Sequence, residues 1–189
     1  MPTFYLILSH LIADFTLQPK KLLRWKHRGW QGQAFHCFIF WLISSIFLLP
    51  YLIYLQNWLI ITLLAISHYI IDKIKLTLNG RSEDKLVLFL TDQAFHIFFV
   101  FIAGYLIGAT PMVWPDTFFY TNMYLNVKLV TYASVLVFIT YTWDIFKFLL
   151  KHKFNPKKFY KPNYRHFTKR ILLFIGIYVL FIGYRYFLL

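Results

Sequence analysis

The stretch Leu86–Ala109 constrains this chain most. It carries one charged side chain, Asp92, in an otherwise apolar run long enough to cross a bilayer as a helix. Backbone N–H and C=O groups in hydrocarbon find no water, so such a run must close its hydrogen bonds internally. Similar runs recur, and the chain reads as six spans: Pro2–Leu17, Ala34–Tyr54, Trp58–Lys73, Leu86–Ala109, Val127–Leu149 and Ile171–Leu189. The first is short for the ~30 Å hydrocarbon core and ends at Gln18-Pro19. Breaks are expected near Pro50, at a tight turn near Gln56-Asn57, and at Asn79-Gly80. Only 14% of residues are charged and 22% are aromatic, against roughly 25% charged in soluble domains. The expected fold is an all-α polytopic transmembrane bundle. Residues 1–110 form a four-helix core, and residues 111–189 add two helices.

The basic residues set the expected topology. The segments after spans 1, 3 and 5 hold 5, 4 and 9 of the 20 Lys and Arg, leaving Lys128 and Arg185 on the other side. The positive-inside rule then places both termini outside and the basic loops in the cytoplasm, as for a protein of a cytoplasmic membrane. A net charge of +13 would suggest nucleic acid in a soluble protein. Clustered between apolar runs, the charge instead points to membrane lipids and not to nucleic acid. The loop Lys151–Arg170 interleaves cations with Phe154, Phe159, Tyr160, Tyr164 and Phe167, and is expected to anchor at anionic headgroups. Homo-oligomerisation is compatible with this composition. The N-terminus has no basic region ahead of its apolar run, so no cleavable signal peptide is expected. Cys37 is the single cysteine, which excludes an intrachain disulfide and a thiolate cluster.

Three His/carboxylate pairs stand at i, i+4 inside or at the ends of apolar runs: His10/Asp14, His68/Asp72 and Asp92/His96. That spacing puts both members of a pair on one helix face. With the topology above, all six, together with His36, fall in the cytoplasmic half of the membrane. Charged groups in such positions are costly and generally functional. Imidazole plus carboxylate suits Zn first, with Mn, Fe and Mg also served, as one ion or two. The expected ligands are His10, Asp14, His68, Asp72, Asp92 and His96. His36, as ligand or acid/base, and Asp92 are the candidate acid/base groups. Gln18, Gln93, Lys75 and Thr91 are expected to orient the ligands or to serve packing.

The bland reading is a hydrogen-bonded packing network, although such networks more often use Ser, Thr, Asn and Gln. Asp144, three residues from Lys147, reads as a structural ion pair. Ser9 points to a different helix face from His10 and is no nucleophile for it. His27, His152 and His166 fall in basic loops and read as solvated.

Four ordered motifs, H-L-I-A-D-F-T-L-Q from His10, H-C-F-I-F from His36, H-Y-I-I-D-K-I-K from His68 and T-D-Q-A-F-H from Thr91, carry a resemblance. Over roughly the first 110 residues the chain resembles the bacterial membrane-protein family known as domain of unknown function 3307. The likeness implies signature roles for His10, Asp14, Gln18, His36, His68, Asp72, Lys75, Asp92, Gln93 and His96, and no activity. A looser likeness in motif style is to inner-membrane metal-dependent hydrolases. The chain lacks the His boxes of membrane di-iron desaturases, the D-x-x-D-G-x-x-A-R run of headgroup transferases and a G-x-S-x-G. The first functional expectation is a membrane metal-dependent hydrolase of a lipid or lipid-linked substrate. The rivals are a metal-ion or proton transporter, and an accessory subunit with a structural polar cluster.

Overall fold

The structure is a computed structural model that describes residues 1–79, 84–113 and 124–154 and Leu172. Every regular element among these is helical. The helices are α1 (Pro2–Leu11), α2 (Lys20–Arg28), α3 (Trp30–Phe47), α4 (Leu55–Asn79), α5 (Lys85–Gly108), α6 (Val127–Val137) and α7 (Trp143–Phe154). α1 continues without a break into a π-helical turn, Ile12–Thr16, and a second π turn, Phe138–Thr142, joins α6 to α7. The sixth expected span apart from Leu172 and most of the Lys151–Arg170 loop, with His166, lie outside the described residues, as does Gly80.

α4 packs between α3 and α5, and α1 lies against α3, α5 and α6. α2 seats on α3, and α7 on α5. Two close approaches fix this arrangement. A Cβ at Gly104 of α5 would lie 2.7 Å from the Cα of Thr3, and one at Gly32 of α3 only 2.4 Å from the Trp25 carbonyl carbon. Small residues are what let helix backbones come this near.

The buried stripe of each central helix changes character along its length. α5 runs Asp92, His96, Val100, Ala103, Ile107, and α4 runs Ile61, Leu64, His68, Asp72. α3 runs His36, Phe40, Ser44 and ends at the capping Leu48, and α1 runs Leu6 then His10. The interior is therefore apolar at one end of the bundle and polar at the other. The exterior is apolar too. Leu59, Leu63, Ile66, Ile70 and Ile74 of α4 and Phe95, Phe98, Phe101 and Tyr105 of α5 are all at least half exposed. Faces of this kind are rare on soluble monomers. Among the described residues, two helices are long and apolar enough to cross a membrane, Lys85–Gly108 and Val127–Lys151. α1 with its π turn spans 15 residues, Pro2–Thr16, about 22 Å of helix.

Several boundaries differ from expectation. The basic run after Pro19 is a helix, α2, and not a loop, because Leu22 and Lys26 at i, i+4 give it an inner face. α3 begins at Trp30, ahead of the expected Ala34, and stops at a 3-10 turn, Leu49–Tyr51, around Pro50. The expected turn at Gln56-Asn57 is helical. Buried Asn57 instead donates to the Tyr51 carbonyl (2.6 Å) and to Thr110 Oγ1 (2.8 Å), so the turn comes earlier. α4 runs six residues past Lys73, to Asn79.

Candidate metal centre

The polar ends of α1, α3, α4 and α5 meet in one buried cluster. His10, His36, His68, Asp72, Asp92 and His96 are each at most 4% exposed, and the Asp14 side chain is 9% exposed. The tightest contacts run between helices rather than within the i, i+4 pairs. Asp14 Oδ1 lies 3.1 Å from His36 Nε2 and 3.3 Å from His68 Nε2, and those two nitrogens are 3.1 Å apart. Within the pairs, His10–Asp14 is 3.9 Å, His68–Asp72 is 3.7 Å and Asp92–His96 is 3.5 Å. The π turn accounts for the longest. Its Leu17 N–H reaches back five residues to the Ile12 carbonyl (2.8 Å), so the wider turn carries Asp14 off the His10 register and toward α3.

Asp72 stands between two lobes. Its Oδ2 faces His36 (3.5 Å) and His68 (3.7 Å), and its Oδ1 faces His96 (3.9 Å). The second lobe holds Asp92 and His96, with His10 beside it at 4.9 Å between ring centroids. Phe40 forms the floor: its ring stacks on His68 (4.7 Å, 20°) and meets His10 edge-on.

The expected orienting residues are present, with one exception. Gln18 Nε2 lies 3.5 Å from His36 Nδ1. Gln93 pairs with His10 Nε2 (3.2 Å) and donates to Asp92 (3.0 Å), and Lys75 donates to Asp92 Oδ2 (2.5 Å). Thr91 faces outward and takes no part. Ser9 donates to the Tyr5 carbonyl (2.8 Å), and Asp144 pairs with Lys147 at 3.1 Å.

Two participants were not expected. Lys26 of α2, 7% exposed, reaches in to pair with Asp72. Nothing in a run of five cations singles it out, except that it sits four residues from Leu22. Cys37 comes within 4.8 Å of ligand atoms of His68 and Asp72. A single thiol can join such a set even where no thiolate cluster exists.

Several of these groups could hold a metal ion: His10/His68/His96, Asp14/His36/His68, Cys37/His68/Asp72 and Asp72/Asp92/His96. The Asp14/His36/His68 triangle fits best, with edges of 3.1, 3.1 and 3.3 Å. Ligands about 2.05 Å from tetrahedral zinc lie about 3.3 Å apart. Those about 2.1 Å from an octahedral ion lie about 3.0 Å apart. Among the described residues, His10 Nδ1, Asp72 Oδ1, Asp92 Oδ1 and His96 Nε2 are buried without a hydrogen bond. Orphaned polar atoms are costly and call for an ion or water. Three carboxylates share the two ammonium groups of Lys26 and Lys75.

Residues 3–125 match the family model described as "Protein of unknown function (DUF3307)", and the chain belongs to that family. The match reaches beyond residue 110 and covers α1 to α5, and with them every residue of the cluster. No curated protein and no solved structure matches the chain.

Proposed function

We propose that the protein is an integral membrane hydrolase that uses a single divalent ion, zinc first, on a lipid or lipid-linked ester or phosphate. The observation that carries this reading is the Asp14/His36/His68 triangle, whose edges would suit one divalent ion, with Asp72 and His96 beside it. When bound there, a divalent ion polarises a phosphoryl or acyl oxygen and acidifies a water.

The other residues then take separate roles. His36 acts as a ligand. Asp92, held by Lys75 and Gln93, lies 3.5 Å from His96 Nε2 and aligns that ring, which is the acid/base group beside the triangle. Gln93 fixes the His10 ring. Lys26 and Lys75 offset carboxylate charge that would otherwise resist an anionic substrate.

Six spans with the cluster on the cytoplasmic side remain the topology best supported by the Lys and Arg distribution and by the apolar exterior. Transport fits less well. Phe40 floors the cluster, and Leu48, Ile61, Val100 and Ile107, all at most 1% exposed, fill the bundle beyond it. One observation favours a purely structural cluster: Lys26 and Lys75 already pair with two of its three carboxylates.

Elemental mass spectrometry of detergent-purified protein separates the two. Stoichiometric metal, lost in His36→Ala and in His68→Ala while helix content survives, supports the metal reading. Protein that neither retains a divalent ion nor takes one up on reconstitution sinks it.

A further inference from the structure

Among the recesses that the described residues form outside the cluster, two carry this inference. The first, about 440 Å³, runs between α3 and α4. Its floor is made of small residues, Ala34, Cys37 and Ala65, and its rims are the exposed side chains Phe38 and Ile66. Trp41 Nε1 donates to Thr62 Oγ1 (3.2 Å) and closes the end farther from the His/Asp cluster. From Ala34 to Trp41 the groove is about 10 Å long. Cys37 stands between it and the cluster, within 4.8 Å of ligand atoms of His68 and Asp72.

The second recess, about 300 Å³, is on α2 and is lined by Lys21, Arg24, Trp25 and Arg28. Its three cations follow i, i+3, i+7 on one stripe. None of them pairs with a carboxylate among the described residues. Arg24 Nε reaches the Lys20 carbonyl at 3.3 Å. His27 adds little charge, since burial and the ammonium groups of Lys26 and Lys75 hold its imidazole below the usual range. Trp25, which lines the second recess, packs its ring on Phe35 at 5.4 Å, and Phe35 is the chain neighbour of Ala34 at the mouth of the first groove.

We propose that the two recesses form one site for an anionic glycerophospholipid, with the phosphate on Lys21, Arg24 and Arg28 and one acyl chain in the α3–α4 groove. This rests on the membrane reading above and names its substrate class. The charge complement selects an anionic head, because each basic residue near an anionic surface adds to retention. The groove selects a hydrocarbon chain over a peptide, because its lining is almost wholly apolar and offers a peptide backbone few of the partners it needs. A chain seated there brings its headgroup linkage toward Cys37 and the cluster beyond.

Native mass spectrometry of the full chain in non-ionic detergent tests this with phosphatidylglycerol, phosphatidylcholine and inorganic phosphate as probes. The expected result is retained phosphatidylglycerol, with phosphatidylcholine retained about tenfold less. Inorganic phosphate should not displace the bound lipid. Arg24→Glu with Arg28→Glu should abolish the headgroup preference, and Ala65→Phe should reduce both lipids alike. Should Ala65→Phe fail to fold, Ala34→Leu at the half-buried mouth obstructs the same groove. Equal retention of both lipids, displacement by inorganic phosphate, or wild-type retention in the groove variants would each overturn the proposal. Protein without metal that still retains phosphatidylglycerol in this pattern would sink the metalloenzyme reading alone. Stoichiometric metal without lipid preference would sink this one alone.

Discussion

Lys26 and Asp72 form a buried ion pair between helices that the sequence reads as a surface segment and a membrane core. Lys26 enters from basic α2, and its pairing partner is the carboxylate that faces both lobes of the cluster. Removing one partner of a buried pair leaves an uncompensated charge, at a cost of about 3–5 kcal/mol. Lys26→Met keeps most of the side-chain volume, so the metal-free protein should lose about that much stability. The same change frees Asp72 from a competing cation. A divalent ion should therefore raise the melting temperature of Lys26→Met more than that of wild type. Thermal unfolding followed by circular dichroism, with and without zinc, reads both effects. A smaller zinc-induced rise in the variant would mean that Lys26 supports the centre rather than competes with it.

Gly104→Ala should be destabilising out of proportion to one methyl group. The added Cβ would stand 2.7 Å from the Thr3 Cα and 2.3 Å from its Oγ1, and backbone cannot step aside as a side chain can. Overpacking of this kind costs typically about 1–3 kcal/mol. α1 carries His10 and continues into the π turn that carries Asp14, so displacing it should also weaken metal retention. Gly108→Ala, four residues on with nothing within 4 Å, is the control and should be close to neutral.

The i, i+4 pairing of His and Asp was legible in the sequence because helix periodicity alone puts such residues on one face. Four helices with polar ends at one level also follow from alternating topology. What periodicity cannot reach is rotation and contact across helices. The π turn that carries Asp14 to His36 has no composition signal in Ile12–Thr16. Lys26 lies among cations, and only the inner stripe with Leu22 sets it apart. Asn57 looked like a turn residue by type, yet its amide is used to tie the Tyr51 turn to Thr110 at the end of α5. In each case tertiary contact decides between conformations that local propensity leaves open.

Asp84 gives a pH-dependent tie at the start of α5. Its Oδ1 accepts from the Leu86 and Val87 N–H groups, and its Oδ2 pairs with Lys153 of α7 at 2.6 Å. The hydrogen bond from Lys153, then that from Val87, holds the carboxyl below its usual 3.8. A carboxyl depressed in the folded state contributes stability above its unfolded pKa and loses it as pH falls through the folded value. Asp84→Asn keeps an acceptor for the cap and loses the charge. It should unfold more easily than wild type at neutral pH, and the difference should shrink and vanish as pH drops below the usual carboxyl range. A difference that persists unchanged into acid would assign the effect to the cap.

Phe40 is the residue at which the hydrolase and transport proposals can be told apart. It is fully buried, stacks on His68 at 4.7 Å and lies edge-on to His10, with Leu48, Ile61 and Val100 also in the core beneath. Phe40→Ala should cost about 3–5 kcal/mol through the cavity it leaves. It should also loosen His68 and lower metal retention, because the ring that fixes the imidazole plane is gone. Phe40→Leu, which refills most of the volume without a flat face, should recover most of the stability and little of the metal retention. Even with the floor removed, the apolar layer beyond should keep liposomes carrying Phe40→Ala impermeable to protons and zinc. Ion flux in that variant would point to a path closed by one ring, and would turn the argument from catalysis to transport.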